Sequence, residues 1–441
     1  MSRRQQRLVI WMNGIQVGFW NKSKGEDTLQ YLPEWSADAQ GRPLSLSLPF
    51  TPGDQIWRGK VVRDYFDNLL PDSEGIRRRL AMRYQAESLD PFDLLTELGK
   101  DCVGAIQLLK EGDEPTDLYC VKYRPLSESE IAMTLRNTTA ASLPGRQSDT
   151  GDLRLSIAGA QEKTALLWHD DRWCRPEGNT PTTHIFKLPL GLVGNMKADM
   201  STSVENEWLC SLLLEQFGIP VARTEIAQFE DQKVLVVERF DRKWSGDQRW
   251  IIRLPQEDMC QAAGMSPLRK YQADGGPGIS EIMEILSHSD HAEQDRLHFF
   301  KAQIIFWVLA ATDGHAKNFS IAIGPQGHYC LTPLYDVLSA WPVIGNGNNQ
   351  IAWQKCKLAM AARGSSNYYK LYRIQRRHWI NHGEQTGLSK KQVEMMMDEI
   401  ISDAPDVIER VRAQLPDQFP SELAERMFDG ITQQCRRLAG N

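Results

Sequence analysis

The chain predicts an α+β protein of two lobes, a β-rich N-terminal part followed by an all-α C-terminal lobe. Three observations carry this. Short strand-like pieces bounded by turn residues dominate the first half of the chain. Beyond about residue 250 the apolar residues recur almost everywhere at helical spacing. Between the two patterns lie polar segments that would meet at a cleft, the usual place for a ligand site. At 441 residues there is room for two or three domains and a sizeable core.

The elements follow in order. LVIWMNGIQVGFW (8–20) opens with a strand pattern broken at Asn13 and Gly14. PLSLSLPF (43–50) places Leu44, Leu46 and Leu48 on one face of a strand. VRDYFDNLLP, SEGIRRRLAMRY and DPFDLLTELGK read as helical pieces, and the apolar VGAIQLL follows them, giving an N-terminal α/β subdomain over 1–130. A linker is expected over 131–152, where Thr, Ser, Gly and Asp collect. LRLSIAG, KTALLWHD, THIFKLPL, TEIAQFE and KVLVVERF then build a β-rich lobe over 153–240. One helix, SVENEWLCSLLLEQFG, interrupts them and stops at Gly218. Residues 241–441 form the helical lobe, with the apolar run FFKAQIIFWVLAA (299–311) at its centre.

Composition excludes several classes. Hydrophobic content of 41% and charged content of 24% are ordinary for a globular protein. No apolar run approaches the roughly 18 residues of a membrane span, and the first apolar patch is too short for a signal peptide. A cytoplasmic protein that uses no membrane is expected. The eight cysteines are scattered without a CxxC pair, which suits reduced core thiols better than a metal site. A net charge of −6 argues against nucleic-acid binding over the whole surface, though not against a local patch.

The chemistry begins at TDGHAKN (312–318), which closes the apolar run. Asp313 and Asn318 stand five apart, and Asp336 follows in TPLYDVLSA. Phosphoryl transfer needs a carboxylate to accept the attacking hydroxyl's proton, and an amide and a second carboxylate to hold Mg²⁺. D-x-x-x-x-N with a later Asp matches the catalytic loop and metal-binding Asp of protein kinases. This spacing makes Asp313 the base and Asn318 and Asp336 the metal ligands; the bland alternative is an Asx turn closing a helix. His315 and Lys317 read as loop supports or neighbours of the γ-phosphate.

Upstream, SIAGAQEK (156–163) has small residues at Ala158, Gly159 and Ala160 that let backbone N–H groups approach phosphate oxygens, with Gln161, Glu162 and Lys163 completing the loop. It is either such a loop or a plain hairpin turn, and it is not a Walker A sequence. Lys187 lies on an apolar strand where an unpaired ammonium is costly; either Glu207 on the next helix is its partner, or Lys187 ends an edge strand and snorkels to solvent, and Asp313, Asn318 and Asp336 favour the first. KVLVVERFDR runs from a strand into a polar crossover, so Glu238, Arg239 and Phe240 are candidates to border adenine. QEDMCQ (256–261) offers Glu257 and Asp258, which could steer a substrate, brace the catalytic loop or merely cap a helix, and no role is assigned to them. In KLYRIQRRHW (370–379) Lys370, Arg373 and Arg377 fall on one helical face with Arg376 beside them, either a solvated face or a local contact to DNA phosphates.

PLSLSLP (43–49), FDNLLPDS (66–73), SIAGAQEKTALL (156–167), PTTHIFKLP (181–189), VERFDR (237–242), RLPQEDMCQ (253–261), ATDGHAKNFS (311–320) and LTPLYD (331–336) together resemble the HipA family of bacterial serine/threonine kinase toxins. The resemblance spans most of the chain in order and weakens after about residue 345. It implies a kinase-like core with an added N-terminal part, ATP with Mg²⁺, and phosphorylation of protein Ser or Thr, the aminoacyl-tRNA synthetase for glutamate being the family's implicated target. It also implies a helix-turn-helix antitoxin partner, as a dimer, that binds operator DNA. Carried over, Asp313 is the base, Asn318 and Asp336 the metal ligands, Lys163 and Lys187 phosphate contacts, and Ser156 the autophosphorylated serine. Charge added at Ser156 would oppose the ATP phosphates and expel the loop. A small-molecule phosphotransferase would use the same groups. A non-enzymatic corepressor scaffold would not need Lys187, Asp313, Asn318 and Asp336 all intact.

Overall fold

The computed structural model describes residues 6–53, 55–139, 159, 161–194 and 196–440. The chain forms two compact units. One comprises Met1–Leu188, Ala227–Leu268 and Ile321–Tyr329, the other Pro189–Ile226, Arg269–Ser320 and Cys330–Asn441.

The first unit begins with an antiparallel five-stranded sheet, in the order Trp57–Arg58, Glu26–Tyr31, Ile15–Ser23, Gln6–Met12, Ile106–Lys110. Asn13 (φ 47°) and Gly14 (φ 85°) make the two-residue hairpin turn that an Asn-Gly pair favours, because both positions need positive φ. Trp20 anchors the core beneath the sheet, stacked on Phe66 at 3.9 Å, with its indole N–H donated to the buried Asp27 at 2.9 Å. The helices Lys60–Asp67 and Pro91–Leu98 supply the opposing apolar face.

PLSLSLPF is not a strand. Pro43 and Pro49 bracket it without N–H groups, and its serine hydroxyls take over the bonding a ladder would supply. Ser45 and Ser47 both donate to the Gln261 carbonyl, at 3.2 and 2.7 Å, and the Leu46 N–H donates to Glu257 at 2.8 Å. Asp258 caps the short helix Met259–Ala262 in a capping box with Gln261.

A second, six-stranded sheet runs Thr224–Phe229, Gln232–Glu238, His184–Lys187, Lys163–His169, Arg172–Pro176, Tyr123–Pro125. Helix Glu128–Thr139 covers it through Ile131, Ala132 and Leu135, which share a core with Leu166, Phe186 and Val236. Residues 131–139, expected as linker, are therefore the body of a packed helix; the remainder of that expected linker lies outside the described residues. The parts on either side of the expected boundary at 130 belong to one compact unit. Asp101 from the N-terminal part meets Arg239, Arg242 and Arg253 at 3.4, 3.0 and 3.4 Å, and the Asn13 side chain bonds both backbone groups of Arg253.

The second unit is predominantly helical: Ser203–Gln216, Ile279–Leu286, Ala292–Val308, Arg376–Gln385, Lys390–Arg412 and Ser421–Ala439. The region after residue 241 is nonetheless not all helix. It carries the hairpins Arg242–Trp244/Ile251–Arg253 and Lys357–Arg363/Asn367–Lys370, and the strands Gln256–Asp258, Ser320–Ile323 and Tyr329–Leu331. The basic stretch also departs from expectation. Lys370 ends a strand, Arg373 sits in a 3₁₀ turn, and the helix starts only at Arg376, so the four cations do not share one helical face. Lys370 is still paired to Lys357 across the hairpin, and the backbone is extended again at Ile374 and Gln375 before the helix starts. Among the described residues no helix is long and apolar enough to cross a membrane.

Candidate active site

Helix Ala292–Val308 is buried on nearly every side through its last three turns, as an apolar helix without a polar face must be. Its C-terminal carbonyls, which a helix cannot satisfy itself, are met by side chains. Gln434 donates to the Trp307 carbonyl at 3.1 Å, the Trp341 indole to Val308 at 3.0 Å and the Ser339 hydroxyl to Leu309 at 2.6 Å. The chain turns out of the helix through Ala310, at φ 49°. Gly314 then presses against the helix so closely that a Cβ there would lie 2.4 Å from the Phe306 ring.

This rigid exit presents TDGHAKN. Asp313 is exposed, whereas His315, Lys317 and Asn318 are buried. The Asn318 amide nitrogen donates to the carbonyls of Asp313 at 2.9 Å and Asp336 at 3.3 Å. That one side chain ties the three sequence-selected residues together and commits its nitrogen, leaving its oxygen as the acceptor end. Asp336 stands at φ 62°, a left-handed conformation that non-glycine residues hold chiefly at turns and functional sites. The two loops are braced further on. Tyr335 donates to the Lys317 carbonyl at 2.9 Å and bonds Ser320, and the Thr332 hydroxyl donates to the Ser320 carbonyl at 3.0 Å. Asn206 exchanges two 2.8 Å bonds with the backbone of Ser339, which fixes helix Ser203–Gln216, and with it the buried Glu207, to the Asp336 segment.

In the first unit Lys187 is 5% exposed on strand His184–Lys187, in register with Lys163 of the neighbouring strand. Gly159 holds φ 112°, a backbone conformation that residues with a Cβ rarely adopt, which favours glycine there. The side chains of Gln161 and Glu162 are spent locally, on the Leu188 carbonyl and on Arg79. Ser156, Ala158 and Ala160 lie outside the described residues. Glu238 is exposed and Phe240 half-buried at the end of strand Gln232–Glu238. Arg239 departs from its expected role. Its guanidinium is buried on Asp241, Asp101, Thr182 and the Cys102 carbonyl, and its N–H is bonded to Thr183, so neither part is turned to a nucleotide. Asp101 is the counter-charge: burial pushes its carboxyl up, but the three guanidiniums outweigh burial and hold it well below the usual carboxylate range.

Sequence reasoning missed Tyr271, whose hydroxyl donates to Asp313 Oδ1. No motif spacing reaches it.

Comparisons with known proteins agree with this architecture. Residues 155–408 match the HipA-like C-terminal domain and residues 8–109 the HipA N-terminal domain. A putative kinase of Sinorhizobium fredii NGR234, Y4mE, is 35% identical, with 75% of this chain and 77% of that protein aligned. The serine/threonine-protein kinase toxin HipA of Shewanella oneidensis is 28% identical over 75% of each. The fold superposes on the solved Shewanella oneidensis MR-1 complex of HipA, HipB and operator DNA with a TM-score of 0.80 at 22% identity, over 98% of this chain and 97% of that one. The mixed kinase-like fold is thereby established. The chain belongs to the HipA family of serine/threonine kinase toxins.

Proposed function

We propose that this chain transfers the γ-phosphoryl group of ATP to a protein serine or threonine hydroxyl, as the toxin of a toxin–antitoxin pair. The observation that carries the reading is the Asn318 amide bonded to the backbone of both Asp313 and Asp336. An amide oxygen and a carboxylate are the oxygen donors that Mg²⁺ prefers, and the donor set fits that ion. Asn318 and Asp336 would hold it; bound there, it neutralises charge on the transferring phosphate. Asp313, exposed beside them, accepts the proton of the incoming hydroxyl. Lys163 and Lys187 hold phosphate oxygens, Glu207 serves Lys187, and Glu238 and Phe240 border the adenine. His315 and Lys317 stiffen the loop from within.

Ser156 is the proposed autophosphorylation site, and the glutamate aminoacyl-tRNA synthetase the proposed substrate. The partner is a HipB-like helix-turn-helix dimer, and Lys370, Arg373, Arg376 and Arg377 the surface by which the complex meets operator phosphates. Arg376 contributes least there, being ion-paired with Asp398 at 2.8 Å.

Incubation with Mg²⁺ and ATP is expected to add a phosphate visible by intact mass. Asp313→Ala should slow incorporation by about 10²–10⁴-fold. Equal incorporation by both proteins would refute the assignment, and turnover of small alcohols or aminoglycosides in preference to lysate protein would replace it with a small-molecule phosphotransferase.

A further inference from the structure

The candidate base has a neighbour that no motif announces. Tyr271 donates its phenolic O–H to Asp313 Oδ1, and its ring meets His315 edge-on at 5.1 Å. The segment bearing it is stiff. The Tyr271 carbonyl accepts the N–H groups of Asp274 and Gly276, both at 3.0 Å, and a Cβ at Gly276 would strike the Arg269 carbonyl at 1.8 Å. Gln272 accepts the Ala361 N–H at 2.8 Å, which pins the turn to strand Lys357–Arg363. The Ala316 N–H donates to the Lys270 carbonyl at 3.2 Å, which pins it to the catalytic loop as well.

We propose that Tyr271 is a positioning residue for phosphoryl transfer: by holding Oδ1 it sets the rotation of the Asp313 carboxylate and leaves Oδ2 to take the proton of the incoming hydroxyl. The proposal rests on Asp313 being the base. A carboxylate on an exposed loop has a broad, two-fold terminal torsion, so without a partner its oxygens sample many directions. A base oriented by a third group is the arrangement that activates hydroxyl nucleophiles elsewhere. Displacement of a reacting group by about 1 Å can cost on the order of 100-fold in rate. The phenol suits the task because it donates one hydrogen bond and stays neutral.

The test uses the full-length protein with Mg²⁺ and ATP, reading phosphate incorporated into the chain itself by mass spectrometry. Tyr271→Phe removes only the hydroxyl and keeps the ring against His315. Its rate at saturating ATP should fall about 10- to 100-fold, with the KM for ATP and the thermal midpoint unchanged. Adding Y271F to Asp313→Asn should slow the reaction no further, because groups that act as a unit are not additive. A Y271F rate equal to wild type would overturn the proposal. So would a raised KM at unchanged kcat, which makes Tyr271 a nucleotide contact, or phosphate found on Tyr271 itself, which makes it an acceptor. If D313N alone leaves incorporation intact, the base assignment falls and the proposal with it. If D313N abolishes transfer and Y271F is silent, only the role of Tyr271 falls.

Discussion

Glu257 is fully buried and accepts the Leu46 N–H through Oε1. Burial pushes its carboxyl up from 4.5 to about 8, outweighing the Ser45 and Leu46 donors, and the neighbouring Asp258 adds to the rise. The folded protein thus keeps the proton over a range where the unfolded chain has lost it. Stability should fall as pH rises from 4.5 to about 8, by about 1.4 kcal/mol per unit at most, and level off above. Glu257→Gln carries no such proton, so urea midpoints of the two proteins should coincide near pH 5 and favour the variant near pH 8.5. A difference independent of pH would exclude the mechanism. Asp313, Asn318 and Asp336 could be selected from sequence because their spacing is local and their residue types are chemically specific. Glu257 could not be given a role, since its partner lies 211 residues away. Tyr271 was invisible for the same reason: a tyrosine in a polar turn signals nothing until the fold brings it to Asp313.

Helix Ala292–Val308 shows what the pattern of an element can and cannot disclose. Its existence was plain from the apolar run, but the run continues to Ala311 while the helix ends at Val308. What stops it is tertiary: side chains of Ser339, Trp341 and Gln434 take its carbonyls, and the backbone reverses at Ala310. Alanine at φ 49° is strained, so Ala310→Gly should stabilise the protein by about 0.5–1 kcal/mol, the left-handed cost less the entropy of glycine. Gly314→Ala should do the reverse by about 1–3 kcal/mol, because its methyl has to displace the Phe306 ring. Thermal unfolding of the pair checks both signs. Alternation was a poorer guide in PLSLSLPF, where the serines that would face water in a strand instead donate to the Gln261 carbonyl. The basic stretch at 370–379 shares the lesson, since helical spacing counts only after the strand-to-helix switch at Arg376.

At the scale of the whole molecule, the N-terminal sheet and the six-stranded sheet are one unit, held by a buried knot of three arginines and two aspartates. Burial, with the neighbouring Arg242 and Arg239 adding to it, lowers the Arg253 guanidinium to about 10 even with Asp101 beside it. Asp101→Asn should therefore destabilise the protein by about 3–5 kcal/mol, the cost of stranding buried charge. Urea denaturation reads this directly, and a loss under about 1 kcal/mol would mean that the cluster is solvated. The sequence divided this unit at residue 130 because composition changes there, while the charges that weld it lie at 101 and 239–253. That weld also limits inheritance. A crossover between related genes near codon 130 would hand one parent's Arg239, Arg242 and Arg253 to the other parent's N-terminal half, and offspring lacking a carboxylate opposite them would begin with a misfolding lesion, however intact their catalytic loop.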